Sequence, residues 1–393
     1  MSGKMYRGHL LALVAVLWFG PAMAFAQQPT SQEYPYLYKS TRAMGMGGAY
    51  MAVGGSADSM FYNPAALINI PRDKGWEVNL VNICAELSNH AVDFVKDIRN
   101  ALNASDTNGD GTASDEQLTA VNDVLAKYRG QEQHARVADF TSIGKSYDRF
   151  AFGVGALASG RIDAIPHQGM GSDGILEVDA DATYGAVGGV SIGLTRNLFA
   201  GIDIKPLYRE ALIHNFTAQE LVDHQNDLRN YIQKSLAQSG DAVGFDAGLL
   251  WNLAPLSRLR PSFGVSVLNI GNLDFGKAGQ IPQSLNVGIA INPTSSMYRS
   301  LIIAMDYVDV LNNFKEDQDR IKRLRVGAEL QLFDVWASEM TMRAGMYEGY
   351  PTLGVDVRLL IFKISYAMYT EEIGAYAGQD KNKRQLLTFD IGW

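Results

Sequence analysis

The sequence predicts an all-β transmembrane fold: a closed barrel of about 14 antiparallel strands, with an N-terminal hatch and helical inserts in its outer loops. Three observations predict it. Strand-length segments alternate apolar and polar residues, short connections alternate with long ones, and the chain ends on an aromatic residue, Trp393, that closes an alternating strand. Among β-sheets only a closed barrel can cross hydrocarbon, because an open edge leaves backbone N–H and C=O groups unpaired.

The composition excludes several classes of protein. The chain has 393 residues, of which 47% are hydrophobic and 19% are charged, and its formal net charge is −8. It is too apolar for a disordered protein and too acidic for a typical nucleic-acid-binding protein. Its one cysteine, Cys84, excludes a disulfide scaffold and a multi-cysteine zinc site. The mean hydropathy of −0.07 excludes a bundle of transmembrane helices.

The first 26 residues have the organisation of a signal peptide. Lys4 and Arg7 precede a short apolar run, and Ala24 and Ala26 provide the small residues of a cleavage site. The apolar run is too short to anchor the chain as a membrane-spanning helix. We therefore expect residues 1–26 to be cleaved and the remainder to reach the outer membrane of a Gram-negative bacterium.

Alternation is clearest towards the C-terminus. Between positions 322 and 332 the apolar residues share one face and the charged residues share the other, and segments 352–359, 362–369 and 387–393 repeat the pattern. We expect the apolar face to meet lipid and the charged face to line the lumen. The residues expected in the lumen are Arg323, Arg325, Glu329, Arg343, Asp356, Arg358 and Lys363. Because both signs occur there, the lumen is either wet or filled by a plug that pairs with these charges.

The connections distinguish the two ends of the predicted barrel. Short turns are predicted near 146–149, 195–197, 254–260, 292–298, 333–338 and 359–361. Longer connections are predicted near 85–134, 161–180, 213–240, 271–282, 309–321 and 371–384, and a shorter one near 347–351. An even number of strands with short inner turns and long outer loops is typical of outer-membrane barrels. Alternation of apolar and polar residues is not by itself decisive, because the strands of a soluble β-sandwich alternate in the same way. Phe389, Ile391 and Trp393 resemble the C-terminal signal that such barrels present to the barrel assembly machinery.

Two motifs precede the first strand. Residues 42–50 read RAMGMGGAY and residues 61–67 read FYNPAAL. The glycines do not form a dinucleotide fingerprint, because no strand precedes them and no strand–helix unit follows. The motifs resemble the N-terminal hatch of the FadL-type outer-membrane barrels, whose wider relatives include PorV-like and conjugal-transfer TraF-like barrels. The residues that carry this resemblance are Gly45, Gly47, Gly48, Asn63, Pro64 and Ala65.

The resemblance extends over nearly all of the chain after the signal peptide, and it implies a hatch at 27–75 followed by a barrel at 76–393. In FadL-type members the hatch enters the barrel from the periplasmic side and gates the diffusion of hydrophobic compounds. The resemblance therefore implies passive transport of hydrophobic small molecules. The TraF-like relatives imply the alternative, a structural barrel of a secretion or conjugation complex. No pocket motif is recognisable, so the substrate-binding residues stay unassigned.

The first long loop, 85–134, departs from the transport members. A helix is predicted at 86–102 and a second one up to Tyr128, and the loop between them resembles an EF-hand calcium loop. The candidate calcium ligands are Asp106, Asn108, Asp110, Thr112, Ser114 and Gln117. Gln117 replaces the bidentate Glu of an EF-hand, which predicts weak binding of Ca²⁺. Ser114 and Gln117 also form a capping box, so a solvated turn between two helices is the alternative.

A third helix is predicted at 217–238, within the insert 213–240. Thr217 and Glu220 form its capping box, and Leu221, Leu228 and Ile232 lie on its apolar stripe. The simplest partner for this stripe is the first insert, which predicts a small helical cap over the mouth of the barrel.

No catalytic motif is present, and we expect no enzyme activity. His90, His134, His167, His214 and His224 are scattered over the sequence without a metal-binding or nucleophile-elbow pattern. Three functions remain open: a channel for hydrophobic small molecules, an assembly barrel and a soluble secreted β protein.

Overall fold

Fourteen strands form a closed antiparallel barrel in the described part of the chain, which confirms the predicted fold class. This computed structural model describes residues 33–73, 75–103, 115–168, 174–225, 227–294, 299–335 and 337–393. The signal peptide predicted at 1–26 and the start of the hatch, 27–32, lie outside the described residues. The first strand pairs with the last, and Cys84 lies opposite Thr388 in that register, so the sheet has no open edge there.

The strands follow one another in the chain with each paired to its neighbours. The first seven are β1 Glu77–Ser88, β2 Gln133–Ser146, β3 Phe150–Gln168, β4 Gly174–Gly193, β5 Leu198–Thr217, β6 Gln238–Asn252 and β7 Ser262–Leu268. The others are β8 Ser284–Ile291, β9 Ser300–Tyr307, β10 Leu324–Val335, β11 Ser338–Tyr347, β12 Tyr350–Leu359, β13 Phe362–Glu372 and β14 Lys381–Gly392.

The wall is much taller on one side than on the other. Strands β3, β4 and β5 have 19, 20 and 20 residues, whereas β7, β8 and β9 have 7, 8 and 8. The long connection predicted at 161–180 is therefore wrong, because β3 and β4 pair as far as Gln168 opposite Gly174. The charged side chains of this segment point into the lumen, where Arg161 pairs with Asp181 at 2.8 Å and with Asp179 at 3.0 Å.

The two faces of the strands differ as the alternation predicts. Large apolar side chains on the outer face are exposed, for example Ile202, Phe245, Leu353 and Ile364. A second set of exposed aromatic residues lies at the inner ends of the strands: Trp76, Tyr147, Phe150, Trp251, Phe362, Phe389 and Trp393. An apolar band with an aromatic girdle is typical of a barrel surface in contact with a bilayer.

The helical inserts begin and end inside the predicted limits. Strand β1 continues through Glu86 to Ser88, so the first helix starts at Ala91 and not at position 86. The helices of this insert are Ala91–Leu102 and Asp115–Lys127, which we name α2 and α3 because Thr41–Gly45 in the hatch is α1. The single helix predicted at 217–238 is wrong: the chain forms α4 Ala218–Asp223, α5 Leu228–Tyr231 and a π-helical turn, Ile232–Leu236. No helix in the described segments is long and apolar enough to span a bilayer.

The inserts pack together. The prediction that they cover the mouth of the barrel is wrong. Phe94 of α2, Leu125 of α3 and Leu221 of α4 share one apolar cluster with Leu176 of β4 and Phe216 of β5. These two strand residues alternate with lumen residues such as Glu177, so the helices lie against the outer face of the tall wall. The apolar stripe packs there because the outward face is apolar, whereas the mouth is lined with charges.

The lumen is filled by the N-terminal segment. It runs from Glu33 at the outer end of the barrel, through α1, to Pro71 at the inner end. Two 3₁₀ helices, Ala57–Phe61 and Pro64–Asn69, complete it. We name residues 33–73 the hatch. Its side chains form one apolar core with inward residues such as Phe140 and Leu250.

Candidate functional site

The hatch touches the wall where both chains carry glycine. A Cβ on Gly47 would lie 2.4 Å from the carbonyl oxygen of Val326, and a Cβ on Gly327 would lie 2.1 Å from that of Met46. Gly47 and Gly48 also have positive φ angles of 63° and 80°, which other residues adopt at a cost. Glycine at these positions lets the hatch backbone lie directly on β10 and β11.

The Asn-Pro-Ala motif forms the second contact between hatch and wall. The Asn63 Oδ1 atom accepts from the Ala65 N–H at 3.1 Å and so caps the 3₁₀ helix that starts at Pro64. Its Nδ2 atom donates to the carbonyl oxygens of Met51 at 2.8 Å and Leu249 at 3.1 Å. Since Leu249 is on β6, one fully buried side chain joins two parts of the hatch to the barrel.

A carboxylate on the wall holds the middle of the hatch. The Oδ2 atom of Asp306, on β9, accepts from the backbone N–H groups of Tyr50 and Met51 at 2.5 and 2.8 Å. Both N–H groups lie in a turn inside the lumen, where water is excluded. Asp306 therefore provides the acceptor for two buried backbone N–H groups of the hatch.

A chain of ion pairs runs from the hatch across four strands. Arg42 donates to both carboxylate oxygens of Glu329 at 2.7 and 2.8 Å, and Arg343 donates to the same carboxylate at 2.6 Å. Arg343 also forms a bidentate pair with Asp356, and Lys363 lies 3.2 Å from that carboxylate. Four of the charges predicted to line the lumen thus pair with one another, and Arg42 joins them to the hatch.

The outer end of the hatch is surrounded by aromatic side chains. The Tyr34 hydroxyl donates to the carbonyl oxygen of Pro282 at 2.6 Å, and its ring makes an edge contact with Phe314 at 5.5 Å between centroids. Behind this ring lies a largely apolar cavity of about 40 Å³ that also contacts Met51, Leu268 and Tyr347. We name it the outer pocket. It is much smaller than an engineered protein cavity of roughly 150 Å³ that binds benzene.

The inner end of the lumen is a polar vestibule. A cavity of about 620 Å³ opens below the hatch, and it is lined by charged side chains of both signs, including Asp58, Glu77, Arg343 and Lys363. The hatch thus separates a small apolar pocket on the outer side from a large polar vestibule on the inner side.

The first insert holds the candidate calcium residues. Of the six, only Gln117 is described; Asp106, Asn108, Asp110, Thr112 and Ser114 lie outside the described residues. The buried Gln117 side chain donates from Nε2 to the Leu102 carbonyl oxygen at 3.0 Å, so it contacts the end of α2. Lys127 at 2.6 Å and Tyr128 at 2.8 Å donate to the Asp97 carboxylate, and these hydrogen bonds lower the pKa of Asp97.

The second insert begins at the predicted cap. The Thr217 hydroxyl accepts from the Glu220 N–H at 3.1 Å. The Glu220 carboxylate lies 2.9 Å from His214 Nε2 and accepts from the Tyr231 hydroxyl at 2.7 Å. Three further histidines lie beside carboxylates: His134 beside Asp163, His167 beside Glu177 and His224 beside Asp227. The proposed assembly-signal residues Phe389 and Trp393 are 41% and 53% exposed on the outer face, with Ile391 partly exposed between them.

Sequence reasoning missed the side chains that fasten the hatch. Arg42 belongs to the hatch motif, but the sequence predicts only that its partner Glu329 faces the lumen. Nothing in the sequence pattern marks Asp306 or Tyr34. A carboxylate on an alternating strand gives no signal of its partner in sequence, since the partner lies some 250 or more residues away.

No protein-family model matches the chain, and no curated protein matches it. Several solved structures are similar to it. A TodX mutant described as a monoaromatic hydrocarbon channel has 12% identity and a TM-score of 0.49, with coverage of 90% of this chain and 99% of that chain. The Ralstonia pickettii toluene transporter TbuX has 13% identity and a TM-score of 0.48, with coverage of 91% and 99%. The P. putida toluene transporter TodX has 10% identity and a TM-score of 0.48, with coverage of 89% and 97%.

Proposed function

We propose that this chain is a FadL-type barrel of the bacterial outer membrane that lets hydrophobic small molecules diffuse passively across it, with the hatch as the gate. The observation that carries the proposal is the outer pocket, where Tyr34 and Phe314 present an apolar binding surface between the hatch and the wall. Cleavage of the signal peptide and insertion by the barrel assembly machinery are part of the same proposal.

The outer pocket represents a closed state of the gate. Its volume of about 40 Å³ is well below the roughly 150 Å³ of a cavity that binds benzene, so we expect a ligand to enter only when the hatch segment around Tyr34 moves. Tyr34 is held there by hydrogen bonds with Pro282 at 2.6 Å and Asn269 at 3.3 Å, which are few enough for such a movement. Below the hatch, the vestibule provides a wide exit.

Uptake into proteoliposomes tests the proposal. We expect vesicles with the barrel to take up N-phenyl-1-naphthylamine faster than empty vesicles, when their outer leaflet contains lipopolysaccharide. Asn63→Ala removes the hydrogen bonds to Met51 and Leu249 and is expected to increase the rate several-fold. Asn197→Ala, in the β4–β5 turn outside the lumen, is the control and should leave the rate unchanged. Equal uptake by empty and barrel-containing vesicles would reject the channel.

A structural role in a secretion or conjugal-transfer apparatus is the second candidate. The ion pairs between the hatch and the wall, such as Arg42 with Glu329, favour it because a permanently plugged barrel needs a firmly held plug. If neither the natural barrel nor Asn63→Ala passes solute, although both are folded, this candidate replaces the first.

We also propose that the first insert binds Ca²⁺ weakly, through Asp106, Asn108, Asp110, Thr112, Ser114 and Gln117. The contact of Gln117 with Leu102 supports a weak site, because the side chain must leave the end of α2 to act as a ligand. Calorimetry on the full chain in detergent should detect Ca²⁺ with a Kd of about 10⁻⁴–10⁻³ M. Gln117→Glu should tighten binding and Asp110→Asn should abolish it; no heat from either the natural chain or Gln117→Glu would reject the site.

A further inference from the structure

Three neighbouring turns at the inner end of the barrel form one basic surface. They join β4 to β5, β6 to β7 and β8 to β9, and they comprise residues 194–197, 253–261 and 292–299. The sequence places four arginines and no acidic residue in them. The Asn252 N–H donates to the Asn197 carbonyl oxygen at 2.7 Å, and the Asn292 N–H donates to that of Leu259 at 2.9 Å. The turns are thus held together as one positively charged rim.

Two of these turns repeat a three-residue pattern of leucine, hydroxyl residue and arginine. Residues 194–196 read LTR, and residues 256–258 read LSR. The hydroxyl oxygens of Thr195 and Ser257 each accept from the backbone N–H three residues further on, at 3.0 Å. Each hydroxyl therefore stabilises its own turn, as is common for Ser and Thr. The leucine and the arginine on either side of it are exposed.

The leucines extend the apolar outer face of the wall beyond its last paired residues. Leu253 follows Trp251 in the outward alternation of β6, and the two side chains are 46% and 49% exposed. Leu256 is 100% exposed, and Leu194 and Leu259 are 56% and 54% exposed. A cluster of exposed leucines is unfavourable in water and marks a surface that contacts another apolar phase or molecule.

The strands beside these turns are too short to cross a bilayer by themselves. Strands β7, β8 and β9 have 7, 8 and 8 residues, whereas a transmembrane β-strand needs about 9–11. A bilayer adapts to a short apolar wall by becoming thinner beside it. The inner turns on this side of the barrel therefore lie at the level of the lipid headgroups, where exposed leucines meet acyl chains.

We propose that this surface binds an anionic phospholipid of the periplasmic leaflet. We name the surface the inner rim, and it consists of Leu194, Arg196, Leu253, Leu256, Arg258 and Leu259. A phospholipid with a net negative headgroup combines a phosphate with acyl chains, so it complements arginines that stand beside exposed leucines. The inference rests on the placement of the barrel in the outer membrane and does not depend on transport.

The two arginines of the inner rim are the ones suited to the phosphate. A guanidinium matches a phosphate group in geometry and forms two hydrogen bonds with it. Arg196 and Arg258 are exposed beside the leucines. Arg260, in contrast, donates to the carbonyl oxygen and to Oδ1 of Asn292 at 3.0 and 2.9 Å, and Arg260 and Arg299 line the vestibule. These two arginines therefore face the lumen and not the lipid.

Native mass spectrometry of the full chain in detergent tests the headgroup contact. The barrel is titrated with phosphatidylglycerol and with phosphatidylcholine of identical acyl chains, which differ in headgroup charge. We expect tighter binding of phosphatidylglycerol, with about a fivefold preference from each arginine. Arg196→Gln/Arg258→Gln should therefore lower the preference about 25-fold. Lys96→Gln/Arg99→Gln removes two exposed positive charges from α2 in the outer insert and is the matched control, which should keep the preference.

The outcome of this titration is decisive, because all four substituted side chains are exposed and the heat-modifiable gel shift reports the closed barrel in every variant. Equal binding of the two lipids by the natural chain would overturn the proposal. An unchanged preference in Arg196→Gln/Arg258→Gln would overturn it as well, since the headgroup contact would then lie elsewhere on the barrel.

A second measurement tests whether the leucines lie in lipid. A nitroxide label is attached to Leu256→Cys, since the natural Cys84 is buried, and the barrel is placed in phosphatidylglycerol vesicles. Electron spin resonance should show that oxygen reaches this label more readily than a water-soluble nickel complex does. Tyr376→Cys, at a residue 60% exposed in the connection between β13 and β14, is the control in water. Equal access of the nickel complex to both labels would overturn the proposal and assign the rim to a soluble periplasmic partner.

Discussion

Arg42 of the hatch forms a bidentate ion pair with Glu329 of the barrel wall, with its Nε and Nη2 atoms 2.7 and 2.8 Å from the two carboxylate oxygens. Glu329 shares one of these oxygens with Arg343, which in turn pairs with Asp356. Arg42 of the hatch thus joins a network of ion pairs whose other members are residues of the barrel wall.

Arg42→Ala should loosen the hatch. The change leaves Glu329 with Arg343 alone and removes the hydrogen bond from Arg42 to the Gly54 carbonyl oxygen. We expect a loss of about 3 kcal/mol, the low end for breaking a buried pair, because the Arg42 side chain is 21% exposed. Ion conductance of the barrel in a planar bilayer should rise. Arg72→Ala removes a hatch arginine whose pair with Asp148 is exposed, and it should leave the conductance unchanged.

Asp306→Ala should free the turn at Tyr50 and Met51. Two buried N–H groups lose their acceptor, and each costs about 1–3 kcal/mol when it is left unsatisfied. Limited proteolysis should cut the hatch faster, while the barrel stays resistant. The control is Asp274→Ala, which removes an exposed carboxylate that accepts from Gly276; equal cleavage of both variants would contradict the role of Asp306.

Gly327→Ala should displace the hatch from β10. The added Cβ would lie 2.1 Å from the Met46 carbonyl oxygen, which is a backbone atom and cannot rotate away. We expect a destabilisation of about 1–3 kcal/mol, measured as a lower temperature for the heat-modifiable gel shift. Gly188→Ala is the matched change on β4, where the atom nearest to the added Cβ is 3.9 Å away. If the close approach of the hatch causes the effect of Gly327→Ala, the gel-shift temperature of Gly188→Ala should stay within about 1 °C of that of the natural chain.

The pairing of α2 with α3 should weaken in acid. Because Lys127 and Tyr128 lower the pKa of Asp97 in the folded state, their stabilisation is complete above the ordinary Asp value and is lost as the pH falls through the lowered value. Hydrogen exchange of the α2 amides should therefore speed up, relative to that of the strands, below about pH 4.

Asp97→Asn provides the check on this assignment. The variant should exchange rapidly at neutral pH and show little further change in acid, whereas Asp93→Asn on the same helix should keep the response of the natural chain. If Asp97→Asn keeps the acid response, a different carboxylate causes the faster exchange of the α2 amides.

Much of the barrel could be predicted from the sequence, because successive side chains of a wall strand point alternately to the lipid and to the lumen. The segment from Leu324 onward alternates, and the structure places Arg325 and Glu329 in the lumen as that pattern predicts. The loop predicted at 161–180 was wrong, because β3 and β4 stay paired as far as Gln168 opposite Gly174. The lumen charges of this segment are compatible with a strand because Arg161 pairs with Asp179 and Asp181 on the neighbouring strand.

By itself the sequence determined the strand alternation, the number of strands, the glycine-rich hatch motif and the presence of two helical inserts. These are local patterns, set by spacing and residue type. Only the tertiary structure decided that Arg42 meets Glu329, that the inserts lie against the outer wall, and that Asn63 contacts Leu249. Each of these depends on the closure of the barrel, which brings residues distant in the chain within a few ångströms of each other.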